Sequence, residues 1–263
     1  EITRSDWSSD VCSSDLFFKR AGGSSGSMTN ITQSDIRAAP IPLPPLPEQR
    51  RIAAILDKAD TLQTKRREAL VQLDRLARSM FEEAVALAKN SGSITARSLS
   101  DEYWFQEGPG VRKWQFTTGG VKLLNVGNIE KSGQINLSRT NRHVSIEEAN
   151  GKYSHFLCDA GDLVIASSGI SIEEDGLLAT RGAFIEGAHL PLCMNTSTIR
   201  FKARGGPSLE FLRAWLSSYE FRSQITKLVT GSAQLNFGPS HLRELQITVP
   251  SLDSQEKVTS SLK

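Results

Sequence analysis

Five prolines, at positions 40, 42, 44, 45 and 47, stand immediately ahead of a run from Glu48 to Lys89 that contains neither proline nor glycine. Nothing else in the chain restricts its folding as strongly. A proline lacks an amide proton and its ring clashes with the preceding helical turn, so the first segment is held extended, and Pro47 suits a first helical position. Good helix formers dominate the run from Glu48 onward. Two seams repeat at heptad spacing: Ile52, Ala59, Arg66, Leu73 and Met80, and Ile55, Leu62, Ala69, Leu76 and Glu83. Eight of these ten positions are apolar, which describes a coiled-coil-like face. A helix of about 42 residues spans roughly 63 Å, the dimension of a spacer or docking rod.

The lead-in to this helix occurs twice. Asn30–Ile52 aligns without gaps on Asn236–Val258 at an offset of 206 residues. Seven of 23 positions are identical: Asn30/Asn236, Ser34/Ser240, Arg37/Arg243, Ile41/Ile247, Pro44/Pro250, Leu46/Leu252 and Gln49/Gln255. Repetition at that period implies that one domain plus one helix forms a unit. The pattern GS-x-x-x-N, then I/V-P-x-L-x-x-Q and a long helix, is carried by Gly231, Ser232, Asn236, Val249, Pro250, Leu252 and Gln255. It resembles the specificity subunit of type I restriction-modification systems, in which two target recognition domains alternate with two helical spacers. The resemblance covers roughly residues 17–263 and part of the family's length. It implies a fragment: residues 17–46 as the end of a first recognition domain, 47–90 as the central spacer, 91–247 as a second recognition domain, and 248–263 as the start of a distal spacer.

Residues 1–16 stand apart. Asp6–Leu16 resembles a translated sequencing adapter and has no signal-peptide layout, so it is set aside as non-native, the alternative being a Ser/Asp-rich natural terminus. The whole chain carries a net charge of +2. Without this tail, which holds Glu1, Asp6, Asp10, Asp15 and Arg4, 30 basic and 25 acidic residues remain, a net of +5. That balance is compatible with a nucleic-acid partner without requiring one. Cys158 and Cys193 lack metal-type spacing, which suggests reduced thiols and, with no apolar run of about 18 residues, a cytoplasmic protein without a membrane partner.

Beyond Asn90 and a terminating Gly92 the pattern changes to short β runs: residues 121–126, 161–167 and 197–201, with weaker ones at 135–137 and 180–185. One or two helices are expected over 207–228, with Phe211, Leu212, Trp215, Leu216 and Phe221 on an apolar face. The fold class is therefore α+β: a mixed α/β recognition domain joined to a long coiled-coil-like spacer helix.

No P-loop, no methyltransferase N/D-P-P-Y/F tetrapeptide and no glycine-rich cofactor loop is present in the sequence. The four histidines are scattered, and Glu173, Glu174 and Asp175 read as a solvated acidic loop ahead of a metal site. No catalytic residue, cofactor or metal is expected. Reading base edges needs Arg, Lys, Asn, Gln, Ser or Thr on loops that allow close backbone approach. The candidates are Arg112, Lys113 and Gln115 in the 106–120 stretch, Ser168 and Ser171 after a buried strand, and Asn195 and Thr196 before another, with Asn125 in LLNVGNI equally a contact or a buried turn-forming residue. Ile52, Ile55, Leu62, Leu73, Leu76 and Met80 are the candidate partner-docking positions of the helix.

The resemblance implies a non-catalytic subunit that binds double-stranded DNA, reads half of a bipartite target, docks methyltransferase subunits, and reaches a restriction/translocase subunit through the complex. An alternative is the specificity region of a single-chain restriction-modification enzyme. With its distal spacer short, the chain is also expected to self-associate.

Overall fold

In a computed structural model of the chain, residues 32–37, 43–90, 92, 94–229 and 235–261 are described. Residues 1–16 and the Gly-Ser run ahead of Thr32 lie outside them. The chain divides into two compact units, residues 1–66 and 67–263.

In the first unit, helix α1 (Gln33–Arg37) precedes the start of the long helix α2 (Leu46–Asn90). Helix α2 begins one residue before the expected Pro47. Its first free amides are satisfied by Pro45, whose carbonyl accepts from Glu48 N and Gln49 N at 2.9 and 3.1 Å. The Gln49 side chain reaches back, Nε2 donating to Pro44 O at 2.7 Å. Of the expected docking positions, Ile55, Leu62, Leu73 and Leu76 are all more than half exposed, Met80 is 36 % exposed and Ile52 is half-buried. Leu56, Leu70, Val71 and Leu87 extend this uncovered apolar surface beyond the two heptad seams.

The second unit corrects the register at the helix's far end. Phe81 and Ala88 are buried, with Ala84 and Val85 packed against the same cluster, so the last turns of α2 enter the domain core by a stripe other than the heptad seams. Phe81 meets Phe211 with ring centroids 5.3 Å apart. The helix stops as expected at Gly92, whose φ of 70° is the left-handed conformation that glycine adopts without a Cβ penalty.

Beyond the helix the chain forms three sheets. β1 (Ile94–Ser98) pairs antiparallel with β9 (Gln246–Pro250). A four-stranded antiparallel sheet has the order β2 (Tyr103–Glu107), β8 (Thr198–Ala203), β5 (Leu163–Ala166), β6 (Gly182–Phe184). A smaller sheet sets β3 (Val121–Leu124) between antiparallel β4 (His143–Val144) and parallel β7 (Leu192–Met194). Short helices α3 (Leu99–Glu102) and α4 (Ile146–Asn150) lie between strands. Helices α5 (Leu209–Trp215) and α6 (Tyr219–Leu228) form where the apolar face predicts, each started by a serine, Ser208 or Ser218, whose hydroxyl accepts from an N-terminal amide. Phe211, Leu212, Trp215, Leu216 and Phe221 are all buried. The 121–126, 161–167 and 197–201 runs become β3, β5 and β8, and 180–185 becomes β6; Ile135 makes only an isolated bridge to Ile129.

The repeat recurs in the structure where both copies are described. Helix α7 (Pro239–Arg243) and helix α8 (Leu252–Ser261) begin at the counterparts of Gln33 and Leu46. Gln255 Nε2 donates to Pro250 O at 2.8 Å, as Gln49 does to Pro44 O. The repeated Pro-x-Leu-x-x-Gln is thus a helix-start clasp, the glutamine filling a carbonyl that proline-rich backbone leaves unpaired.

Candidate nucleic-acid interface

Strand direction gathers the candidate loops at one end of the second unit. β2 and β5 both run antiparallel to β8, so Glu107 and Ala166 at their C-terminal ends face Ile199 and Thr198 at its start. β3 and β7 are parallel and finish together at Leu124 and Met194. Residues 195–197 connect β7 to β8. The segments after β2, β3, β5 and β7 therefore share one rim, although up to 87 residues separate them in sequence.

Hydrogen bonds tie the rim together. Asn195 Nδ2 donates to Asn125 Oδ1 at 2.9 Å, and Thr196 Oγ1 to Pro109 O at 3.1 Å. Ser197 O accepts from Ser167 N at 2.9 Å, and Ser167 O accepts from Phe237 N at 2.9 Å. Gly108 lies so close to this turn that a Cβ there would fall 2.2 Å from the Asn195 carbonyl oxygen. Ser197 sits at φ 68°, a left-handed conformation uncommon without glycine.

The eight candidates separate into inward and outward groups. Gln115 is buried: its Oε1 accepts from Arg112 N at 3.1 Å, and its Nε2 donates to Glu148 Oε1 at 2.9 Å and to Tyr153 OH at 2.8 Å. It anchors the loop, and its amide is not available to a base edge. Asn195 is also buried, with its Oδ1 accepting from Thr196 N at 2.9 Å. Asn125 is half-buried and donates to Leu123 O and Thr140 Oγ1 at 3.0 and 3.2 Å. In these three the side-chain polar groups are satisfied internally. Arg112, Lys113, Ser171 and Thr196 are exposed, and Ser168 is half-buried.

One stretch was missed. Ser138–Arg142 reaches the rim through Thr140, whose Oγ1 also donates to Asn128 Oδ1 at 2.9 Å. Arg139, Asn141 and Arg142 are exposed there, and the Arg142 guanidinium lies 5.2 Å from the Phe116 ring centroid. Exposed Asn236 bridges to Ser168. The run SRTNR was visible as dense polar sequence, but nothing local in it points to Asn125.

Beneath the rim, buried Arg200 of β8 donates to His155 O at 2.9 Å and Gln106 Oε1 at 3.1 Å, and pairs with the buried Asp162 at 3.4 Å. Asp162 also accepts from Asp159 N at 2.8 Å. A hydrogen bond from Lys202 holds the Asp159 carboxyl below its ordinary pKa.

The acidic loop after Ser171 differs from the solvated stretch expected. Asp175 forms a two-pronged pair with buried Arg222, at 2.7 and 2.8 Å. Glu173 pairs with Arg78 of α2 at 2.8 and 3.2 Å and with Arg222 at 2.9 Å. Arg222 Nε donates to Leu178 O at 2.9 Å. Both carboxyls are held below their ordinary pKa, Glu173 chiefly by its hydrogen bond from Arg78 and Asp175 by that from Arg222. Among the described residues, no group of three or more His, Cys, Asp or Glu side chains is placed to hold a metal ion, and no helix is long and apolar enough to cross a membrane.

A family profile described as the type I restriction modification DNA specificity domain matches residues 16–72. The chain is also 26 % identical, over 249 residues, to the type I restriction enzyme MjaVIII specificity subunit of Methanocaldococcus jannaschii. By sequence, the chain is similar to the specificity subunits of type I restriction-modification systems. The match covers 85 % of it and 54 % of the archaeal protein, so the chain spans about half the length of that specificity subunit. Among solved structures, the HsdS subunit from Thermoanaerobacter tengcongensis aligns at a TM-score of 0.43 and 16 % identity, over 94 % of this chain and 59 % of its own. The S subunit from M. genitalium aligns at 0.35 and 17 %, over 64 % and 37 %. At these TM-scores the relationship to specificity subunits rests on sequence.

Proposed function

We propose that this chain is a non-catalytic DNA-specificity subunit whose residues 91–247 read half of a bipartite target, while α2 docks methyltransferase subunits and sets the spacing. The observation that carries the reading is the rim: four loops, far apart in sequence, converge and turn Arg112, Lys113, Arg142, Asn141, Thr196 and Ser171 outward, in a relative of known specificity subunits. Cations and short polar side chains on one exposed edge suit phosphate anchoring combined with base-edge hydrogen bonding. Buried Gln115, Asn125 and Asn195 hold that edge in shape.

The uncovered apolar positions of α2, from Ile55 to Met80, support a second role as a protein-docking surface, through which a restriction/translocase subunit would be reached indirectly. Residues 17–46 are assigned to a preceding recognition domain and 248–263 to a second spacer, on the strength of the repeated clasp. The chain itself would need no cofactor.

Binding by the chain together with a methyltransferase subunit, measured over duplexes that differ at single base pairs, tests the reading. Discrimination among the duplexes is expected, with a cost of about 1–3 kcal/mol per mismatched pair. Equal affinity for all of them would refute it.

A further inference from the structure

Trp114 is 79 % exposed, more than any other large apolar side chain among the described residues. Tryptophan is usually well covered in folded domains, so an indole left in water needs a reason. Its loop is not loose. Residues 113–115 form a single 3-10 turn, closed by Gln115 N donating to Arg112 O at 2.9 Å and fixed from below by the three side-chain bonds of Gln115. Val111, just before the turn, is buried. Through Pro109 and Thr196 the turn joins the rim described above. The indole is therefore presented from a fixed base, and little ordering entropy remains to be lost on contact.

Its surroundings select the partner. Arg112 and Lys113 are exposed on either side of the turn's start, and Arg142 stacks on Phe116 at its end. No described carboxylate forms an ion pair with any of the three. The cores of protein–protein interfaces are depleted in charge, whereas an aromatic ring set among cations matches a base π-face beside its phosphates.

We propose that Trp114 stacks its indole against a base of the DNA duplex, opening a base step at the edge of the sequence being read, while Arg112, Lys113 and Arg142 hold the flanking phosphates. This rests on the DNA-reading function proposed above. Apolar side chains that enter a duplex in this way unstack and bend it, which allows the rest of the surface to close on the groove.

The test uses the full chain with its methyltransferase subunit, as wild type, Trp114→Phe and Trp114→Ala, on short target and non-target duplexes. Affinity and tryptophan emission are measured together. Subtracting the Trp114→Phe signal from the wild type isolates Trp114, whose emission should be quenched on target DNA. Trp114→Phe should bind within a few-fold of wild type, and Trp114→Ala should bind on the order of 5- to 150-fold more weakly. Thermal midpoints should be unchanged, because the ring is already in water. Unchanged affinity in Trp114→Ala, or no quenching, overturns the proposal and leaves DNA reading by the other loops standing. Weaker assembly with the methyltransferase subunit, at equal DNA affinity once assembled, also overturns it and makes the indole a protein contact. A wild-type complex that does not distinguish the duplexes fails the underlying function itself.

Discussion

At Gln115 a single side chain closes the candidate recognition turn from inside. Replacing it with alanine removes all three side-chain hydrogen bonds and takes a partner from the Tyr153 hydroxyl, the Glu148 carboxylate and the Arg112 backbone amide. The expected cost is about 1–3 kcal/mol, read as a lower unfolding midpoint together with blurred base preference. Arg112 has the opposite character, being exposed and free of ion pairs among the described residues. If it reads guanine with both prongs, Arg112→Ala should cost about 1–3 kcal/mol and relax preference at one base pair. A pure phosphate contact would instead weaken all duplexes alike and flatten the salt dependence, and the single-base panel separates the two. Burial pushes the thiols of Cys158 and Cys193 up to about 12. In a Cys12→Ser background, a thiol reagent at pH 8 should label neither until the protein is unfolded.

Among elements, the loop between Ser171 and Leu178 is fastened at Arg78 on α2 and Arg222 on α6. Losing Arg222 takes the guanidinium from Asp175 and the Leu178 carbonyl and leaves Glu173 paired with Arg78 alone. Because Asp175 and Glu173 keep partial contact with water, about 3 kcal/mol of destabilisation is expected for Arg222→Ala, the low end for a broken buried pair. The direction of the carboxyl shifts sets the pH dependence. Glu173 and Asp175 titrate lower in the folded state than their ordinary values of 4.5 and 3.8. Their stabilisation is therefore fully present above those values and is lost as pH falls through the folded pKa values. Denaturant unfolding should show Glu173→Gln losing stability less steeply than wild type below about pH 4.5; parallel curves would show that this pair contributes nothing. The clasp at each helix start invites a matched pair, Gln49→Ala and Gln255→Ala. Each should expose one prolyl carbonyl and fray its own helix end, visible as faster amide exchange over the first turn.

For the whole molecule, the exposed apolar positions of α2 are expected to govern behaviour in solution. Leu62, Leu73 and Leu76 are each more than half exposed, and burying such a side chain fully is worth roughly 1.5–3 kcal/mol. The chain alone should self-associate at micromolar concentration in sedimentation, and changing these three leucines to glutamine should shift it toward monomer. A wild-type chain that stays strictly monomeric would count against a docking role for this stripe.

The sequence by itself determined the long helix, its proline-marked start and its glycine stop, because these depend on local backbone chemistry. It also determined the repeat, including the shared Gln49 and Gln255, and the runs that became β3, β5 and β8, because their apolar periods are short-range; the bond from each glutamine to a prolyl carbonyl came only with the structure. Strand partners lay outside its reach: β2 and β8 pair across about a hundred residues, and no local signal carries that information. The same gap decided the site. Residues 106–120, 167–171 and 195–197 were legible as polar loops, but only strand direction brings them to one rim. Only packing turns Gln115, Asn125 and Asn195 inward while leaving Trp114 and Arg112 in water. The last turns of α2 obey the same physics, since a heptad pattern describes one face of a helix and Phe81 belongs to another, chosen by the domain that packs against it.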